Sequence, residues 1–230
     1  MYKIQRNGIW NTDLGIMVRE RPGIPGPELK CDQYEIPNKD GVLFVCDDVV
    51  EDITINVTFS IAEKEEYQEK LRLVRKWLLS REDNILKLSD DPHYFYKVKT
   101  TKIKSATRSG RKIGAIEVGF VCEGCQYSDE GQKEITASNL YNDGYITHPI
   151  YKVEGEGECT LTVNGKTVKA NVGQNLTIDT DRMIAYRTDG TMQNTSLTGD
   201  YEDLYLIEGE NKVSITSGFV LKIIPNWRYL

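Results

Sequence analysis

From Asp52 onward apolar and polar residues alternate strictly. Ile53, Ile55, Val57, Phe59 and Ile61 fall on one side, with Thr54, Asn56, Thr58 and Ser60 on the other. A period of two predicts a half-buried strand. The pattern then changes. Ser60-Ile61-Ala62-Glu63 fits a capping box, in which a serine oxygen and a glutamate carboxylate satisfy free N–H groups at a helix start. Tyr67, Leu71, Val74 and Leu78 recur at helical spacing and define one face of a helix over about 62–80. Trp77 and Leu79 widen that stripe. Glu63, Glu65, Glu66 and Glu69 precede Lys70, Arg72, Arg75 and Lys76, an order that suits the helix dipole at both ends.

Strand patterns surround this helix. Ile9 to Val18 reads as a short strand or hairpin. Arg21-Pro22-Gly23-Ile24-Pro25-Gly26-Pro27 excludes helix and any central strand and predicts a stiff extended connection. Leu29 to Ile36 is a strand candidate, and Pro37-Asn38-Lys39-Asp40-Gly41 is a turn by composition. These could make a protruding hairpin or an ordinary edge loop. After the helix, Ile85 to Leu88 turns back towards Asp90-Asp91-Pro92. An aromatic run, Tyr94-Phe95-Tyr96, leads to strand patterns at Val98–Ser105 and Ile113–Val121. Residues 1–131 thus read as an antiparallel α+β domain with one helix laid on a sheet or sandwich.

Around Tyr127 to Lys133 the chain turns polar, and helical periodicity does not return. A second domain is placed at 132–230. Asn164-Gly165, between Cys159–Val163 and Lys166–Ala170, is a strong hairpin signal. Further strands are expected at Asn175–Asp179, Met183–Thr188, Tyr205–Ile207, Lys212–Ile215 and Phe219–Ile224, with turns at Asp189-Gly190 and Gly209-Glu210-Asn211. Short strands at this spacing predict a β-sandwich, so the chain as a whole is mainly β.

Composition narrows the chemistry. The 230 residues are 39% hydrophobic and 28% charged, and no apolar run reaches membrane-spanning length. The start, Met1 to Arg6, lacks a signal-peptide pattern, so folding in a cytoplasm is expected. The net charge of −6 lies in the second part: through Ser128 there are 20 basic and 20 acidic side chains, and beyond it 9 and 15. Neither part offers the basic surface that tight nucleic-acid binding needs. Five cysteines are an odd count that reads as reduced thiols rather than a disulfide framework.

Cys122-Glu123-Gly124-Cys125 is a C-x-x-C pair, but no second pair accompanies it, and it closes a strand instead of opening a helix. It reads as two thiols at a strand end. His93 and His148 each adjoin a proline, with no nucleophile motif nearby. The acidic pairs Asp47-Asp48, Glu51-Asp52 and Asp90-Asp91 show no dyad spacing. Asn56, Asn175 and Asn194 begin chance glycosylation motifs. Tyr186, Tyr201, Tyr205, Trp227 and Tyr229 could stack on sugar rings, though such residues more often pack in cores and rims. Catalytic, cofactor-binding and metal residues are therefore none, and no enzyme is expected. A carbohydrate-binding module recognising host cell-wall glycan stands as the alternative.

The order of these features resembles one family. Asp13-Leu14-Gly15-Ile16, the proline-rich Arg21 to Glu28, Ile36-Pro37 with Asp40-Gly41, the helix ending Lys76-Trp77-Leu78-Leu79 and then Leu86 to Pro92 are similar to the distal tail proteins of long non-contractile bacteriophage tails. Pro149, Val163-Asn164-Gly165, Gly209-Glu210-Asn211 and the ending Pro225-Asn226-Trp227-Arg228-Tyr229-Leu230 resemble that family's C-terminal domain. The resemblance implies a structural protein of the virion tail tip, assembled in the bacterial host cytoplasm. It implies a homohexameric ring around a DNA channel, joined to the tail tube protein and to tape-associated and receptor-binding proteins. It also implies a β-sandwich carrying one helix for the first domain, a galectin-like β-sandwich for the outer one, and a belt hairpin within Arg19–Gly41 that reaches the next subunit. At this length there is no room for the inserted sugar-binding modules of longer members.

Overall fold

A computed structural model describes residues 1–62, 67–110 and 113–230. The chain is mainly β, and its contacts divide it into two compact units. One spans Met1–Gln126 with Leu230, and the other Tyr127–Tyr229.

The first unit begins with β1 (Ile4–Arg6) and β2 (Ile9–Trp10), joined at Asn7-Gly8, both with positive φ. That Asn-Gly turn starts the first hairpin earlier than the expected Ile9. β3 (Ile16–Val18) follows, and β4 (Leu29–Glu35) and β5 (Val42–Val50) form a separate two-stranded sheet. Then come β6 (Ile53–Ala62), helix α1 (Tyr67–Leu79), β7 (Ile85–Leu88), β8 (Asp91–Arg108) and β9 (Ile113–Ser128). The main sheet runs β2-β1-β7-β8-β9-β6-β3.

β6 pairs with β9 in unbroken antiparallel register from Ile53–Cys122 to Ala62–Ile113. The odd-numbered apolar residues of β6 are buried, as its alternation requires. Ser60 and Ala62 remain in this strand, with Ser60 opposite Ala115, so the predicted helix start at 62 is corrected. Glu63, and with it the capping box, lies outside the described residues.

α1 buries Tyr67, Leu71, Val74, Trp77 and Leu78 against the sheet. Trp77 meets Phe59 edge-on at 5.7 Å. Leu79, expected to widen the stripe, is exposed. The far end of the helix is held by the first hairpin turn. Asn7 Nδ2 donates to Trp77 O (3.0 Å), and the buried Arg6 guanidinium donates to Ser80 O (3.4 Å), Asp83 O (2.7 Å) and Ile85 O (3.3 Å). A cation at the negative end of the helix also favours the dipole.

The second unit contains β10 (Asn139–Asn142), β11 (Ile150–Val163), β12 (Lys166–Asp179), β13 (Ile184–Tyr186), β14 (Leu197–Thr198), β15 (Gly209–Ile215), β16 (Val220–Ile224) and β17 (Arg228–Tyr229). β11 and β12 pair along their full length around Asn164-Gly165. Two expectations change here. Asn175–Asp179 is the continuation of β12, not a new strand, and Tyr205–Ile207 contributes only a bridge between Leu206 and Thr147. The predicted turn Gly209-Glu210-Asn211 opens β15. The other edge of β11 is shared, with β16 along Ile150–Glu154 and β15 along Leu161–Val163. Gly155, between them, lies so close to Phe219 that a Cβ would fall 2.3 Å from its ring.

Candidate functional site

Val42-Leu43-Phe44-Val45-Cys46 is an apolar run without alternation, the pattern of a strand covered on both faces. In the fold it is covered on neither. Tyr34, Val42, Leu43, Phe44, Val45 and Val49 are all exposed, Phe44 to 58%. The expected span Arg19–Gly41 holds only the approach, the first strand and the turn. The hairpin runs on through Val50, which corrects its boundary.

The register explains how one strand presents apolar side chains on both faces. Glu35 opposes Val42, Tyr34 opposes Leu43, Gln33 opposes Phe44 and Asp32 opposes Val45. Opposed residues share a face, so Val42 and Phe44 lie on one, and Leu43, Tyr34 and Val45 on the other. The turn uses Asn38 and Gly41 at positive φ (64° and 83°), conformations that asparagine and glycine tolerate best. Cys31 and Cys46 oppose each other and form a disulfide. These two were expected as reduced thiols; their register brings them together.

Both roots of the arm are fixed to the body. On the approach, the Arg19 N–H donates to Thr58 O (2.8 Å), and Arg21 pairs with Asp90 while its guanidinium covers the Tyr2 ring. Burial, with help from Asp90, pushes the Tyr2 hydroxyl pKa well above its usual value. On the return, the Glu51 N–H donates to Glu28 O (2.8 Å). A Cβ on Gly124 would fall 2.2 Å from Glu51 O, so only glycine lets the return strand lie this close to β9. The glycine of the C-x-x-C motif thus serves the arm.

Residues 16–122 match the family model described as phage tail protein RIFT-related domain. No curated protein matches the sequence. Among solved structures, the chain is similar to the SPP1 Dit (gp 19.1) protein, described as a paradigm of the hub adsorption apparatus in phages infecting Gram-positive hosts. The likeness covers 100% of both chains at 14% identity, with a TM-score of 0.72.

Residues 16–122 carry a phage tail domain, and the whole chain shares the fold of that tail protein.

The remaining motifs of the chain have structural partners. Cys122 and Cys125 are buried in β9, and burial pushes the Cys122 thiol up to about 12. Among the described residues no three His, Cys, Asp or Glu side chains gather as a metal site. His93 lies in β8. His148 has Nδ1 on Asp181 (3.0 Å), Nε2 on Arg228 (3.1 Å) and its ring against Tyr205. Because arginine only donates, Nε2 accepts and the proton sits on Nδ1, facing Asp181. Asp52 pairs with Lys99 (2.7 Å) and Asp91 accepts from Gln126 (2.7 Å).

The three asparagines of the glycosylation motifs are hydrogen-bond acceptors. Asn56 takes a bond from Lys104, Asn175 from Thr188, and Asn194 from the Ala185 N–H. Tyr186, Tyr201, Tyr205, Trp227 and Tyr229 are half-buried, while Tyr141, which sequence reasoning passed over, is 70% exposed. Among the described residues no helix is long and apolar enough to cross a membrane.

Proposed function

We propose that this chain is a ring-forming adaptor of the phage tail tip. Six copies close around a channel through which DNA passes, joining the tail tube to the tip and its receptor-binding apparatus. Residues 1–131 build the ring, and 132–230 form an outward galectin-like sandwich on which other tail proteins dock. Assembly takes place in the bacterial host cytoplasm.

The observation that carries this reading is the arm. A two-stranded hairpin alone in water is marginal, and this one exposes apolar side chains on both faces and leaves both edges open. Such a segment gains most by inserting into another chain. When each copy's arm reaches the next, the contact is head-to-tail, and a head-to-tail contact that closes on itself makes a ring. The balanced charge of the first 128 residues suits a lumen through which DNA must slide.

The test is electron imaging of the purified chain beside a variant in which Asn-Gly replaces 29–50 and joins Glu28 to Glu51. Six-fold rings from the full chain and none from the variant are expected. Rings from both would remove the arm's role.

A further inference from the structure

The covalent tie of the arm is open to solvent. Cys46 is exposed and Cys31 half-buried, whereas Cys122, Cys125 and Cys159 are buried. Thiol–disulfide exchange requires a thiolate to reach a disulfide sulfur, so access selects where it happens. A small thiol in water meets Cys46 without any unfolding. It meets none of the three buried thiols.

This tie stands where the ladder of the arm changes register. Leu29 opposes Val50, but Cys31 opposes Cys46, so the single residue Lys30 faces Asp47, Asp48 and Val49. The root of the hairpin follows one register, and its outer part follows another, two residues away. A slip of one residue would turn every side chain to the opposite face, but a slip of two keeps each on its own. Alternation therefore does not choose between the two registers in the outer part. With the register of the root carried outward, Tyr34 would face Val45 and Gln33 would face Cys46. Against this stands the like-charge pair it would create, Asp32 opposite Asp47. The bridge between Cys31 and Cys46 exists in one register alone.

We infer that Cys31 and Cys46 form an exchange site for small-molecule thiols and disulfides, and that the state of this site sets the register of the arm. In the closing step the Cys46 thiolate attacks a small disulfide, forms a mixed disulfide and releases one small thiolate. The Cys31 thiolate then attacks the Cys46 sulfur and releases the second. The protein pair is oxidised, the small disulfide is reduced, and the two protons of the protein thiols end on two small thiols. Opening is the reverse, beginning with attack at the exposed Cys46. The closed arm is held in the bulged register; the open arm exchanges between the two. The inference rests on the reading above for its setting: a chain assembled in a bacterial cytoplasm meets a reducing pool, and a released tail does not.

The first test equilibrates the folded chain with glutathione at varied ratios of thiol to disulfide, then applies acid quench, alkylation and peptide mapping. Cys31 and Cys46 should open and close together and reversibly, with Cys122, Cys125 and Cys159 unmodified throughout. A pair that opens only in denaturant, or fails to close again in oxidised glutathione, would overturn the exchange site. The second test reads the register. In a Cys31→Ser, Gln33→Cys chain, oxidised glutathione should join positions 33 and 46 at a rate within about tenfold of the parent pair, because the slipped register sets them opposite each other. A Cys31→Ser, Asp32→Cys chain should not close, since position 32 lies on the other face in both registers. No bridge in the first variant, or equal bridging in both, would overturn the control of register. Neither test requires assembly, so these outcomes stand apart from the fate of the ring.

Discussion

Cys31 and Cys46 stand opposite each other across the arm and are joined by a disulfide that closes a loop of sequence separation 15. Among the described residues nothing covers the exposed faces of this hairpin, and between its fixed roots and its turn the cross-link restrains the register. Closing a loop of this length limits the open chain by about 3 kcal/mol on chain-entropy grounds. Unfolded without reductant, the protein should titrate three thiols, from Cys122, Cys125 and Cys159, and five after reduction. Reduction should also speed amide exchange in 29–50 by about a hundredfold. Exchange in β6 and β9 should not change.

Gly124 and Glu51 make the second fixed point of the arm. Gly124→Ala drives a methyl group into the Glu51 carbonyl, and backbone must shift to accept it. Overpacking of this kind costs about 1–3 kcal/mol. Denaturant unfolding should show that loss, whereas Gly110→Ala, with open space around it, should leave the midpoint within about 0.5 kcal/mol of the parent.

Cys122 is buried, and its folded pKa of about 12 lies above the ordinary thiol value of 9.0. The unfolded thiol ionises first as pH rises. Stability from keeping the thiol protonated is therefore complete below pH 9 and is lost as pH climbs towards 12. Other groups titrate in that window, so the readout is a difference: the parent should lose more stability between pH 9 and 11 than Cys122→Ala does. Folded protein at pH 8 should leave Cys122 unalkylated.

Asn211 organises the second unit where two turns meet. Its buried side chain accepts from the Ile207 N–H (2.9 Å) and Asn164 Nδ2 (2.8 Å) and donates to Ile207 O and Gly209 O. Asn211→Ala strips partners from several buried groups and should cost about 2–3 kcal/mol. Calorimetry of the full chain should place that loss in the transition of the second unit.

Much of this was legible in the chain because some patterns are complete locally. The alternation of Ile53 to Ile61 needs only one buried face, and the helix stripe from Tyr67 to Leu78 needs only a sheet to rest on. Asn164-Gly165 specifies its own turn, and Asn7-Gly8 carried the same signal. Ser60 misleads because a serine ahead of a helical pattern suits a cap and a strand's polar face equally. Val42 to Cys46 could not be placed from sequence, since an apolar run does not say whether its cover belongs to the same chain. The disulfide had a signal: Glu35 pairs with Val42 across the turn, and the same register reflected outward takes Cys31 to Cys46. Gly124 had none, because close approach to Glu51 is a property of the folded pair.

The central claim is that the arm joins copies of this chain into a ring, and solution mass tests it most directly. Light scattering over a range of concentration should show the full chain moving towards six times its 26.2 kDa, while the variant with Asn-Gly in place of 29–50 stays at the single-chain mass. A full chain that stays at that mass at every concentration, or a variant that assembles as the full chain does, would contradict the account.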